Sequence, residues 1–84
     1  MAYSLHFSKQ AFKELEKINE PFYSAIKQAI LNLAQNPRPQ GYKKLKGRDS
    51  YRIRIGNYRV IYDIFDNELV VDIITLGHRK DVYE

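Results

Sequence analysis

Hydrophobic positions along the chain change period twice. Tyr3, Leu5 and Phe7 alternate with polar residues, which predicts a short strand over 2–7. The spacing then becomes helical. Ser8 is placed to cap a helix starting at Lys9, and Phe7 before the cap with Phe12 in the first turns matches a hydrophobic staple. Phe12, Leu15 and Ile18 define its apolar face, with Lys13, Glu14 and Lys17 turned to water. Asn19-Glu20-Pro21 punctuates the chain, and Pro is well tolerated at a first helical position. A second helix is predicted over 21–35, with Phe22, Ile26, Ala29, Ile30 and Leu33 as its stripe. Asn36-Pro37 stops it, because the residue before Pro is pushed out of the α region. Residues 37–47 read as a basic loop.

From residue 51 the period falls to two. Segments 51–55, 58–65 and 68–76 read as three strands joined by the tight turns Gly56-Asn57 and Asp66-Asn67. Two-residue turns fix register. Around the first, Ile55 pairs with Tyr58, Arg54 with Arg59, Ile53 with Val60 and Arg52 with Ile61. Around the second, Phe65 pairs with Glu68, Tyr62 with Val71, Val60 with Ile73 and Tyr58 with Thr75. Direct partners share a face. One face then collects Tyr51, Ile53, Ile55, Tyr58, Val60, Tyr62, Ile64, Leu69, Val71, Ile73 and Thr75, and must pack the helices. The other holds Arg52, Arg54, Arg59, Ile61, Asp63, Val70, Asp72 and Ile74. The expected architecture is α+β in the order β-α-α-β-β-β, with two helices on one face of an antiparallel sheet. Two helices suffice for a crossover, so the first strand can lie parallel to the last and make the sheet partly mixed.

Composition narrows the function. The 84 residues are expected to form a single domain, 1–84, with 44% hydrophobic and 29% charged residues. A chain this small buries only about 60–65% of the surface its unfolded form exposes, so a protein partner can add stability. The absence of Cys removes disulfides, thiolate catalysis and Cys zinc sites. Two separated His and no clustered carboxylates speak against a metal site. No apolar run approaches the roughly 20 residues that span a bilayer, and the N-terminus lacks the pattern of a signal peptide, so a cytoplasmic protein without membrane contact is expected.

The net charge of +4 is focused. Residues 38–59 hold eight basic side chains (Arg38, Lys43, Lys44, Lys46, Arg48, Arg52, Arg54 and Arg59) and only Asp49, whereas residues 60–84 hold two basic and six acidic ones. A focused cation cluster points to a polyanion, although a solvated surface is the ordinary fate of Lys and Arg. The register sharpens the clue. Arg54 and Arg59 face each other directly, with Arg52 on the same face, and like charges in that relation cost up to about 1 kcal/mol. Either Asp63 and Asp72 neutralise the cluster in a salt-bridged face, or the guanidinium forks form an anion site matched to phosphate. Lys43, Lys44, Lys46 and Arg48 read as backbone-tracking RNA or ribosome contacts, which give affinity without sequence choice.

After the last strand come Gly77, His78, Arg79, Lys80, Asp81, Val82 and Tyr83. His78 follows the alternation of Ile74 and Leu76, which starts it toward the arginine face. Arg79 and Tyr83 come within reach if the tail curls back. A His, a phenol and several Arg form an inventory able to cleave RNA: a 2′-hydroxyl is deprotonated, the phosphorane charge is stabilised and the 5′-oxygen is protonated. The bland alternatives are a solvated or structural His78 and a Tyr83 that packs to anchor the terminus; Tyr83 could equally stack on an unpaired base. His6 reads as a surface strand residue.

The opening AYSLHFS, the stretch KLKGRDSYRIRIGNYRVIYDI and the ending GHRKDVY, in this order and spacing over nearly the whole chain, resemble the RelE family of toxin–antitoxin systems within the wider RelE/ParE superfamily. The resemblance implies a metal-independent, cofactor-free, ribosome-dependent mRNA endonuclease that cuts codons in the A site by 2′-hydroxyl attack on the adjacent phosphate. It implies a cognate antitoxin that wraps the toxin in a hetero-oligomer and covers the basic face. The family's basic pair falls on Arg52 and Arg54, its phosphate-stabilising Arg on Arg59, its Arg after the last strand on Arg79 and its C-terminal Tyr on Tyr83. By analogy Arg59 steadies the developing charge, Arg79 assists the leaving oxygen and Tyr83 orients or stacks on the codon. The familiar pattern has Lys where this chain has Arg52 and Arg54. Arg does not readily lose its proton, so these two suit electrostatic stabilisation, and His78 becomes the candidate base or acid, since an imidazole ordinarily titrates at about 6.5. Three other readings stay open: a ParE-like gyrase poison without nuclease activity, a non-catalytic nucleic-acid-binding module, and an inactive member kept for complex formation.

Overall fold

The computed structural model describes residues 2–78. Strand β1 (Ser4–Phe7) leads into helices α1 (Lys9–Glu16) and α2 (Phe22–Leu33). These are followed by β2 (Lys43–Lys44), β3 (Ser50–Ile55), β4 (Tyr58–Phe65) and β5 (Val70–His78). The strands form one sheet in the order β1-β5-β4-β3-β2. β1 runs parallel to β5, and the other neighbours are antiparallel. The two-helix crossover thus delivers β1 beside the last strand, giving the expected mixed α+β sheet. The 37–47 segment is more than a loop, because two of its lysines pair with β3.

Ser8 caps α1 as its sequence position predicts, accepting from Ala11 N–H at 3.0 Å. Its hydroxyl also donates to the Ile74 carbonyl at 2.6 Å, tying the helix start to β5. The core face of α1 is Ala11 and Leu15, both buried, with Ile18 half-buried behind them. Phe12, expected on that face, is 55% exposed. Ala11 has the smaller side chain and takes the close approach to the sheet, which rotates Phe12 outward to share a cleft of about 430 Å³ with Phe7. From α2, Ile26, Ile30 and Leu33 complete the core against Ile53, Val60, Tyr62, Val71, Ile73 and Leu76. Phe22 is 44% exposed and covers the sheet's end by packing on Tyr58, ring centres 5.3 Å apart.

The β3–β4 hairpin has the register read from Gly56-Asn57, including Arg54 opposite Arg59. Gly56 sits at φ +59°, a left-handed conformation that glycine adopts without strain. The β4–β5 pairing differs from expectation twice. Residues 66–69 all belong to the turn, with Glu68 N–H on Phe65 O, Leu69 N–H on Asp66 O and Leu69 at φ 54°. Phe65 therefore pairs with Val70, not Glu68, and Tyr62 with Ile73, not Val71. A slip of two residues preserves alternation. Farther along, Ile74 is an extra residue, because Tyr62 pairs with Ile73 but Ile61 with Thr75. This β-bulge reverses the parity of the rest of β5. Leu76 becomes the partner of Val60 and enters the core, and His78, not Thr75, becomes the partner of Tyr58. The Ser8 hydroxyl is what satisfies the bulge residue's carbonyl.

Candidate functional site

The face of the sheet away from the helices is built in rows. At one end lie Arg54 of β3 and Arg59 of β4, followed by Arg52 paired with Ile61. Farther along, Asp63 faces Asp72 directly. The three arginines thus share a face as the register predicts, but they are not equivalent. Arg54 is exposed, Arg59 half-buried and Arg52 only 7% exposed. A guanidinium at Arg52's depth contributes positive field to the face more than an open hydrogen-bonding surface. Asp63, the partner of Ser50, lies one row beyond the Arg52–Ile61 pair on the same face. Asp63 accepts from the Ser50 hydroxyl at 2.6 Å.

The basic hairpin splits as well. Lys43 is the partner of Arg52 and joins the arginine face, while Lys44 pairs with Tyr51, on the helix side. The Lys44 ammonium lies 3.5 Å from the exposed Asp49 carboxylate. Lys46 and Arg48 are exposed at the hairpin tip. Arg38, counted from sequence with the focused charge, has a structural duty. Its guanidinium grips the Asp66 carboxylate with both nitrogens, at 3.2 and 2.9 Å, and lies over the Tyr51 ring. Tyr3 donates to the same carboxylate at 2.7 Å. The fork and the phenol hold the Asp66 carboxyl below its usual range, and the carboxylate in turn raises the Tyr3 phenol. Nearby, the buried Tyr62 hydroxyl donates to Pro37 O at 2.8 Å, and burial pushes its titration upward. These contacts fasten the start of the basic segment to β4 and to the β4–β5 turn. Sequence reading missed them; the only signal was a lone Asp in the turn and a lone Arg after α2.

His78 does not start toward the arginine face. The bulge at Ile74 puts it opposite Tyr58, with ring centres 5.7 Å apart in an edge-on contact. Both rings border a groove of about 450 Å³ on the helix side, with Glu14, Lys17 and Phe22 among its walls. Gly77, not His78, is the partner of Arg59. Arg79 and Tyr83 lie outside the described residues. Among the described residues, no group of three His, Asp or Glu is arranged to hold a metal ion, and no helix is long and apolar enough to cross a membrane.

This fold and this charged face have relatives. Residues 5–83 match the family of ParE toxins of type II toxin–antitoxin systems. The mRNA interferase toxin RelE of Escherichia coli K12 is 32% identical over 83 residues, covering 95% of this chain and 86% of that protein. The archaeal RelE–RelB complex from Pyrococcus horikoshii superposes with a TM-score of 0.84 at 31% identity, over 98% of this chain and all of that one. The toxin–antitoxin complex RelBE2 from Mycobacterium tuberculosis gives 0.83 at 26% identity, over 96% and 95%. The chain belongs to the RelE/ParE family of type II toxins, on its RelE side.

Proposed function

We propose that the chain is a ribosome-dependent endoribonuclease that cuts mRNA in the A site and so stops translation. The observation that supports it most is the directly opposed pair Arg54 and Arg59 on the sheet face away from the helices. A sheet optimised for stability alone avoids like charges in that position, and guanidinium forks fit a phosphate with two oxygens each. The relative named mRNA interferase supports the choice of RNA as substrate.

In this reading the 2′-hydroxyl oxygen attacks the adjacent phosphorus and loses its proton. The P–O5′ bond breaks and the 5′-oxygen gains a proton, leaving a 2′,3′-cyclic phosphate and a 5′-hydroxyl. Neither step needs a metal or a cofactor. Arg59 and Arg54 stabilise the dianionic phosphorane from preorganised positions on one ladder. Arg79 assists the leaving oxygen, Tyr83 orients or stacks on the codon, and Arg52 raises the positive potential beneath. The guanidiniums do not exchange protons at neutral pH. His78, turned to the helix side, gives no direct support for a role as base or acid. A cognate antitoxin is part of the proposal: the relatives solved with RelB suggest a hetero-oligomer in which the partner masks the arginine face.

Primer extension on a defined mRNA in a purified translation system tests this. New ends at A-site codons, only when ribosomes are present, are the expected result. Intact mRNA together with inhibited DNA supercoiling would replace the proposal with gyrase poisoning, and RNA binding without cut ends would leave a binding module.

A further inference from the structure

The stretch Lys43-Lys44-Leu45-Lys46 sets one apolar residue among three lysines. The lysines are exposed, and Leu45 is 3% exposed. Its side chain packs with Ile61 of β4 and Ile74 of β5 in a second apolar cluster, separate from the core beneath the helices. Ile61 is the register partner of Arg52, so this cluster lies on the arginine face. The backbone around Leu45 is thinly held. β2 makes two register pairs with β3, and Leu45 N–H adds one bond to Ser50 O at 2.9 Å. A ladder that short is marginal in water, and lysines crowded along it repel one another.

We infer that Leu45 is a positioning residue for polyanion binding. By burying its side chain on Ile61 and Ile74 it pins the 43–50 hairpin to the sheet, and so holds Lys43 beside Arg52, and Lys46 and Arg48 beyond the Ser50 end of β3, before any ligand arrives. The inference deepens the RNA reading above and rests on it. A basic hairpin already in place has less freedom to lose on binding, and its cations engage a phosphate chain together with the arginines. The choice of Ile74 as an anchor also gives the bulge a second consequence: it supplies one wall for Leu45 while turning Leu76 into the main core.

The experiment titrates a single-stranded RNA oligonucleotide with the full chain, with Leu45→Ala, with Leu45→Met, and with a triple variant carrying Lys43→Ala, Lys46→Ala and Arg48→Ala. Salt is varied between about 50 and 200 mM. Each phosphate contact steepens the salt dependence of single-strand binding by about 0.7 in the log–log slope, so three hairpin cations account for about 2. Leu45→Ala is expected to lose most of that slope and to fall onto the triple variant, although it has lost no charge. Leu45→Met, which refills the space, is expected to recover it. In ribosome-dependent cleavage Leu45→Ala raises KM and spares kcat, because Arg54 and Arg59 are held by the β3–β4 ladder and not by the hairpin. A folded Leu45→Ala that keeps the full wild-type slope overturns the inference, as does a fall in kcat at unchanged KM. If Leu45→Ala does not fold, Leu45→Val replaces it, with an intermediate slope expected and a wild-type slope overturning. Oligonucleotide binding needs no ribosome. A chain that shows this slope pattern yet cuts no mRNA would therefore defeat the nuclease reading and keep the inference. A wild-type chain that binds no RNA would defeat both.

Discussion

Arg52, Arg54 and Arg59 share a face, yet each answers differently to removal. In the proposed mechanism Arg59→Ala removes a preorganised charge from the reacting phosphate, and loss of one such group costs about 100-fold or more in rate. The variant is expected to keep the fold, because the β3–β4 ladder is held by its backbone pairing. Arg79→Ala is expected to lose toxicity in the same way. Growth arrest by well-folded Arg59→Ala and Arg79→Ala proteins would sink these assignments. Arg52→Ala behaves otherwise, because the side chain is only 7% exposed. Activity and stability are expected to fall together, the latter by about 1–3 kcal/mol in chemical denaturation. A variant as stable as wild type would return Arg52 to the exposed class. Asp66 is a purely structural counterpart. Its folded carboxyl titrates below the ordinary carboxylate range, mainly through the Arg38 fork and then through Tyr3. A depressed folded pKa contributes stability above the unfolded pKa and loses it as pH falls through the folded one. Asp66→Asn is therefore expected to be less stable than wild type at neutral pH, with the gap closing below about pH 4. A gap that persists unchanged into acid would assign the effect to packing.

At the level of elements, Ser8 is where local and distant structure meet. Its oxygen caps α1 and its hydroxyl hydrogen reaches the bulged Ile74 carbonyl. Ser8→Ala loses both. A lost cap costs about 1 kcal/mol and a buried carbonyl without its donor costs a similar amount, so unfolding in urea is expected to show about 2 kcal/mol of destabilisation at an unchanged m-value. Ser8→Thr should stay near wild type. A loss confined to a few tenths of a kcal/mol would mean that the bulge is held by other contacts. The same pair of bonds marks the limit of what the sequence discloses. Cap, helices and the Gly56-Asn57 hairpin follow from residue types within a few positions, and with them came the register that set Arg54 against Arg59. The bulge is decided by a serine 66 residues away, and no local pattern announces it. Leu69 at φ 54° likewise hides a four-residue turn behind the familiar Asp66-Asn67 pair. The turn shifted the pairing by two without changing faces, and the bulge alone moved His78 from the arginine face to the helix side. The burial of Phe12 was misjudged for a simpler reason: a period marks a face, but the neighbouring sheet decides whether Ala11 or Phe12 sits at its centre.

Across the described residues the charge is distributed unevenly over a single sheet face, and this bears on the proposed dependence on a ribosome. Arg54 and Arg59 form the row at one end, Lys43 lies beside Arg52, and Lys46 and Arg48 sit at the hairpin tip beyond Ser50, while Asp63 opposite Asp72 lies on β4 and β5 at the level of Ser50. A phosphate chain running along β4 and β5 would meet two half-buried carboxylates, so a single strand is expected to keep to the β3–β2 side of the face. Lys43, Lys46, Arg48, Arg54 and Arg59 contribute about 3.5 to the salt slope for a single strand, at about 0.7 per contact. A grip of that size belongs to non-specific binding, with dissociation constants of about 10⁻⁴ to 10⁻⁶ M at physiological salt. Free mRNA is then held too weakly and too loosely to align a 2′-hydroxyl with its phosphorus. A ribosome presents a codon already immobilised, which converts the encounter into a positioned one and supplies the orientation that the small face lacks. Cleavage of free mRNA is accordingly expected to run at least about 100-fold slower than cleavage on ribosomes and to vanish first as salt rises. The double substitution Asp63→Asn with Asp72→Asn should tighten binding of free RNA, because the repulsive boundary is gone, while ribosome-dependent cleavage changes little. Equal rates on free and ribosome-bound mRNA at the same salt would show that the face alone aligns its substrate, and would remove the ribosome from the mechanism.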